Sequence, residues 1–249
     1  VTNDPDPLAA LVDLFCGLER KGPGDAAFTR DLLRSLPPLP SEGRIADLGC
    51  GSGAGALLLA EHYRREIVAV DTAEIFLEEL VERADRVGLG HLITPVCADM
   101  GALDWPPASI DLLWSEGAAY VLGFEEALRT WRPLVAPGGL AVVSEMSWFT
   151  SGRPAPALEF WRAAYPTMGD EAENVRRAER AGFEILETRR LPFEAWWGNF
   201  YDPLRARMKT LEGSELHRDV LRETEEEIAL FERYGEHYGY TFYGMRAGA

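Results

Sequence analysis

The stretch Asp47-Leu48-Gly49-Cys50-Gly51-Ser52-Gly53-Ala54-Gly55 decides the fold. It follows Arg44-Ile45-Ala46, which can enter a strand, and precedes Ala56-Leu57-Leu58-Leu59-Ala60, which reads as a helix. Glycines let the backbone take positive φ and come close to a ligand. The helix N-terminus behind them offers unpaired N–H groups to an anion or carboxylate. Strand, glycine turn and helix start in this order are a recurring way to hold an adenine cofactor. The dinucleotide fingerprint is G-x-G-x-x-G. Here Gly49, Gly51, Gly53 and Gly55 alternate instead, with Asp47 two residues before the first.

Outward from this turn, strands and helices alternate, which predicts a parallel sheet covered on both faces. Residues 45–48 form the first expected strand and Ile67-Val68-Ala69-Val70, ending at Asp71, the second. Phe76, Leu80, Ala84 and Val87 recur at helical spacing between Ala73 and Val87. Leu92 to Cys97 is a third strand and Ile110 to Trp114 a fourth. Phe124 to Leu134 reads as a helix closed by Pro137-Gly138-Gly139, a turn that no helix continues through. Leu140 to Glu145 is a fifth strand, Glu171 to Ala181 a helix, Phe183 to Glu187 a sixth strand and Tyr238 to Met245 the last. Residues 147–168 and 192–236, rich in aromatic side chains, fall outside the alternation. They are expected to be insertions near the carboxyl ends of late strands, where open α/β sheets bind ligands.

The composition narrows the function. With 25 Lys+Arg against 41 Asp+Glu the formal net charge is −16, which repels phosphate backbones and argues against a nucleic-acid substrate. At 249 residues the chain can form one large domain or two small ones, and 47% hydrophobic residues suit a sizeable core. No apolar run reaches the ~20 residues of a membrane span. Val1 to Pro7 lacks the basic-then-apolar pattern of a secretory signal. Cys16, Cys50 and Cys97 are odd in number and lack paired spacing, so they are read as thiols of a reducing cytoplasm. The four histidines are scattered, and no metal site is expected.

Polar residues stand at the expected strand ends. Asp71 lies 22 residues beyond Gly49 (71 − 49), near the ~20 at which an acid binds ribose hydroxyls in nucleotide folds. Asp99, after the third strand, could accept a hydrogen bond from an exocyclic adenine amine. With the Asp47–Gly55 turn, Asp71, Ala98-Asp99-Met100, Asp111-Leu112-Leu113-Trp114-Ser115 and Pro137-Gly138-Gly139, the chain resembles the class I S-adenosylmethionine-dependent methyltransferases. Gly17 to Gly24, Trp114 to Tyr120, Ser144 to Thr150 and Tyr238 to Tyr240 look like a bacterial subgroup of that family.

The resemblance implies one doubly wound, Rossmann-like domain over residues 1–249, with seven strands in the order 3-2-1-4-5-7-6 and the last antiparallel. It further implies S-adenosyl-L-methionine as cofactor, a small-molecule methyl acceptor, and a monomer or homodimer in the cytoplasm. Residues 1–40 are the expected helical lid, and 147–168 with 192–236 the expected substrate cap; Trp148, Trp196, Trp197 and Tyr201 could wall its pocket, though for any one of them core packing is the better reading. Gly49, Gly51 and Gly53 would let the backbone approach the cofactor, Asp71 hold the ribose and Asp99 the adenine. Asp47 would brace the turn toward the methionine end, and Lys21 or nearby amides face its carboxylate. Thr72, Ala98, Met100 and Ser115 complete the expected cofactor site. The candidate general base is Glu116, with Tyr120 and Glu145 as alternatives. Two rival readings stay open: a module that binds the cofactor without catalysis, and an NAD-dependent oxidoreductase.

Overall fold

A computed structural model describes residues 7–248; Val1–Asp6, the first six residues of the expected lid, and Ala249 lie outside the described residues. The chain enters through α1 (Pro7–Phe15) and α2 (Ala26–Ser35), the latter capped by Asp25, whose carboxylate accepts from Phe28 N at 2.8 Å. Then β1 (Ile45–Leu48), α3 (Ala54–Tyr63), β2 (Ile67–Asp71), α4 (Glu74–Arg86), β3 (Ile93–Cys97) and β4 (Ile110–Ser115) alternate as read from the sequence. All four residues of β1 are buried, as expected of a central parallel strand covered on both faces. The second half holds α5 (Phe124–Trp131), β5 (Val135–Trp148), α6 (Ala155–Ala164), α7 (Glu171–Arg180) and β6 (Phe183–Arg190). After these come the short α8 (Glu194–Trp196), α9 (Asp202–Leu211), α10 (Arg218–Tyr234) and β7 (Tyr238–Ala247).

The seven strands pair in the order β3-β2-β1-β4-β5-β7-β6. The β1–β2, β1–β4, β2–β3 and β4–β5 pairs are parallel, while β7 runs antiparallel between β5 and β6. Both the order and the reversed last strand match the expectation. One apolar layer packs α1 to α4, α6 and α8 to α10 on one face; the other packs α5 and α7.

Pro137-Gly138-Gly139 is not the turn that closes a helix. The helix ends at Trp131, and Pro133 lies in a 3₁₀ turn over Arg132–Leu134. Val135 pairs with Ile110 and Leu140 with Leu112, so residues 136–139 bulge out of β5, with Gly138 at φ +74°. At its other end β5 runs on beyond the expected Glu145. Ser115, the last residue of β4, pairs with Val143, whereas β5 continues beside β7 as far as Trp148 opposite Tyr238. This overhang carries Glu145 past the carboxyl end of β4.

Residues 192–236 fold as helices that buttress the N-terminal segment. Asp13 of α1 accepts from Arg207 at 3.0 Å and meets the His217 ring nitrogen Nε2 at 2.8 Å, and Phe15 stacks on Phe200 with ring centroids 6.1 Å apart. Trp148, Trp196 and Tyr201, candidates for a pocket wall or for the core, are almost fully buried in the core. Large apolar rings on elements that close a sheet face gain more from burial than from lining an open site.

Candidate functional site

A cavity opens at the carboxyl ends of β1, β2 and β4, roofed by Leu11, Val12 and Phe15 of α1 and by Arg20–Pro23. The glycine turn forms its floor. Gly49 N and Cys50 N both donate to Val70 O at 2.9 Å, and Gly51 N donates to Asp71 Oδ2 at 2.8 Å. Asp71 Oδ1 accepts from Ala73 N at 2.9 Å, so this carboxylate pins the turn and the start of α4 together. Gly49 and Gly51 take φ of +72° and +51°, a region other residues avoid. Gly55 is required for another reason: a Cβ there would press on Asp47 Oδ2 at 3.0 Å and on the Trp114 indole nitrogen at 3.2 Å.

The structure brings Lys21, Asp47, Gly49, Gly51, Asp71, Thr72, Ala98, Asp99, Met100, Glu116 and Tyr120 to this one cavity. Gly53 and Ser115 do not line it. Gly53 caps α3 at φ +81°, and a Cβ there would collide with the Leu80 side chain of α4, so its smallness serves helix packing. Ser115 is buried and donates to Leu48 O at 2.8 Å, tying β4 to β1. Lys21 reaches the cavity, but its ammonium is taken by Glu79 and by the carbonyls of Phe15 at 2.8 Å and Leu18 at 3.0 Å. The cation that sequence reasoning missed is its neighbour Arg20, a buried cavity residue with Nη1 3.5 Å from Glu116 Oε2. None of the cavity walls comes from residues 147–168 or 192–236.

Electrostatically the cavity is acid-rich. Asp47 is 2% exposed. Burial pushes its carboxyl well above the usual carboxylate range; the nearby Glu116 and Asp71 add to this, and the Ala56 amide opposes it. Burial likewise pushes the Cys50 thiol up, which suits a packing residue and not a nucleophile. Asp99 Oδ1 accepts from Gly101 N at 2.7 Å. Glu116 is already engaged: Oε1 accepts from the Trp114 indole at 2.9 Å and from Thr29 at 3.4 Å, and Oε2 faces Arg20. It therefore ties α2 and the N-terminal strap to the end of β4. Among the described residues no group of three His, Cys, Asp or Glu side chains could hold a metal ion, and no helix is long and apolar enough to cross a membrane.

Residues 45–139 match a family model described as a methyltransferase domain. The chain is 32% identical over 161 residues to malonyl-(acyl-carrier protein) O-methyltransferase of Halorhodospira halophila, covering 63% of this chain and 51% of the relative. It spans about half or less of the length of the first curated relatives it matches. Among solved structures, a SAM-dependent methyltransferase from Geobacter sulfurreducens in complex with S-adenosyl-L-homocysteine superposes with TM-score 0.78 at 17% identity, covering 96% of this chain and 98% of that one. The (4+2)-cyclase SpnF superposes with TM-score 0.77 at 20% identity, covering 97% and 93%. At such identities these structures speak to the fold alone.

Proposed function

We infer the activity from the family: the chain belongs to the class I S-adenosylmethionine-dependent methyltransferases, and we propose that it moves a methyl group from S-adenosyl-L-methionine to a small-molecule acceptor. The observation that carries this reading is the charge balance of the cavity beside the glycine turn. Asp47, Asp71, Asp99 and Glu116 stand against Arg20 and Lys21, and Lys21 is spent on Glu79. A ligand with a sulfonium, an ammonium and one carboxylate suits that balance.

In this reading Asp71 holds the ribose hydroxyls and Asp99 the adenine amine, with Thr72, Ala98 and Met100 beside them. Gly49 and Gly51 give close backbone approach. Asp47 favours a positive group near it, because a cation offsets the cost of its buried charge. Arg20, and not Lys21, is the cation left for the cofactor carboxylate. The sulfonium supplies an activated methyl group and leaves as a neutral thioether, so holding the acceptor in line accounts for much of the rate. Tyr120, Ala118 and Val121 supply the wall beside the acceptor, and the strap over Arg20–Pro23 excludes water.

S-adenosylmethionine or its demethylated product is expected to raise the melting temperature, and NAD is not. A ligand at 100 times its dissociation constant adds about 2.7 kcal/mol. Stabilisation by NAD alone would reverse the assignment, and binding without any transfer of labelled methyl would favour the non-catalytic module.

Glu116 acts in this account as a positioning residue. In Glu116→Gln the side-chain oxygen still accepts from Trp114, while the amide turns a donor toward Arg20. The expected result is weaker cofactor binding with kcat within a few-fold of wild type. Losing a general base would instead cost about 10²–10⁴ in rate. Steady-state kinetics with both substrates varied separates the two outcomes.

A further inference from the structure

Glu145 lies on the overhang of β5, buried with 1% of its surface exposed, and neither carboxyl oxygen has a hydrogen-bond partner. Among the described residues no other carboxyl is buried in this condition. Its neighbours on β5 and the Arg177 guanidinium are satisfied. Ser144 accepts from Gly117 N at 2.7 Å, Ser147 is bonded to Tyr243 at 2.9 Å and to Asn174 at 3.1 Å, and Arg177 is spent on Thr167, Asn174 and Glu173. The Tyr165 phenol, which accepts from Phe124 N at 3.3 Å, has its own O–H to offer and lies close enough to favour the charged carboxyl, but outside ordinary hydrogen-bond geometry. A buried carboxyl without partners is costly, and such exceptions in an otherwise satisfied interior call for a reason.

Its position supplies one. Ser115 pairs with Val143, so Glu145 stands just past the end of β4, where the chain turns into residues 116–121 of the cavity wall. That wall is a single 3₁₀ turn, Ala119–Val121, set between Gly117 at φ +63° and Gly123 at φ +84°. It carries two large side chains that remain exposed, Tyr120 at 47% and Val121 at 66%. The Tyr120 ring meets Tyr165 edge to face, with centroids 6.2 Å apart. On the β7 side the Tyr240 phenol reaches Gly117, where a Cβ would lie 3.1 Å from its oxygen.

We propose that Glu145 is the recognition group for the methyl acceptor, and that the acceptor is a primary or secondary amine with an apolar body, admitted when the Gly117–Gly123 wall swings aside. This deepens the methyl-transfer reading and rests on it. An ammonium provides the donors that both carboxyl oxygens lack, and the faces of Tyr120 and Tyr165 favour a cation. An acceptor carboxylate would meet Glu116 with like charge and would add a further acid beside Glu145 and Asp47, whose carboxyls burial already holds above the usual carboxylate range. The apolar roof of Leu11, Val12 and Phe15 suits a hydrocarbon body. On binding the ammonium, Glu145 releases to solvent the proton that burial holds on it, and in the reaction a proton passes from nitrogen to the carboxylate. The freed lone pair forms the N–CH₃ bond as the S–CH₃ bond breaks, and the sulfonium becomes a thioether.

The test uses S-adenosylmethionine labelled in its methyl group and three matched sets: phenethylamine, benzylamine and N-methylbenzylamine, each beside its alcohol and carboxylate counterparts. Wild type and Glu145→Gln are compared, and binding of S-adenosylhomocysteine to both is measured by calorimetry. Label is expected in the amines, kcat/KM falling about 100-fold in Glu145→Gln while affinity for S-adenosylhomocysteine is unchanged. Label in alcohols or carboxylates in preference to amines, label in no amine, or full activity of Glu145→Gln each overturns the proposal. If S-adenosylhomocysteine binds neither protein, the methyl-transfer reading itself falls, and this one with it.

Discussion

Asp71→Ala is expected to weaken S-adenosylmethionine binding by roughly 30- to 1000-fold, equivalent to about 2–4 kcal/mol. In the proposed binding mode, two charge-assisted hydrogen bonds from ribose hydroxyls to one carboxylate carry most of that figure. The structure adds a second contribution. Asp71 also accepts from Gly51 N and Ala73 N, so its loss frees the cavity floor as well as removing the proposed ribose acceptor. The fold itself is expected to survive, because Gly49 N and Cys50 N remain bonded to Val70 O and β2 keeps its pairing with β1 and β3. Calorimetric titration measures the change, with circular dichroism to verify the fold. Affinity equal to wild type would show that Asp71 serves the turn alone.

The strands were legible because buried parallel strands write themselves as short apolar runs, each followed by a polar residue at its carboxyl end, while their order followed from the family resemblance alone. The same signal located Asp71, Asp99 and Glu116, since a strand end fixes where the chain leaves the sheet. What stayed hidden was the direction and occupation of side chains. The alternating glycines read as a single motif, yet Gly53 makes room for Leu80, a residue 27 positions away (80 − 53) on α4. Arg20 and Lys21 are equal in sequence. Glu79, also on α4, takes the second and leaves the first at the cavity, and nothing local in the sequence announces that pairing. Trp148, Trp196 and Tyr201 sit in irregular stretches of the sequence, where a pocket wall and core packing are both open. Their fate depended on Phe231 of α10 and Tyr238 of β7, which pack against them: Trp196 stacks on Phe231 at 4.0 Å, Tyr201 meets the same ring at 5.6 Å, and Trp148 meets Tyr238 at 5.4 Å.

Replacing Glu145 with Gln is expected to make the protein more stable at alkaline pH while changing little toward pH 4.5. Burial pushes the Glu145 carboxyl up to about 8, with the Tyr165 phenol and Arg177 opposing the shift. In the unfolded chain the group ionises near ~4.3. Between these values the folded protein keeps a proton that the unfolded chain has lost, so stability falls as pH rises, and the penalty is complete above about 8. From pH 5.5 to 8 the interval is worth roughly 3 kcal/mol at 1.36 kcal/mol per unit, or about 6–12 °C in melting temperature for a chain of this size. Asp47 and Glu227, also held above the usual carboxylate range by burial, add their own slope to both proteins. The difference between wild type and Glu145→Gln cancels those contributions and isolates Glu145. Melting curves at pH 5.5 and 8.5 are therefore expected to diverge, the variant gaining. A difference that stays constant between the two would mean that Glu145 is ionised in the fold and already has a partner for its charge.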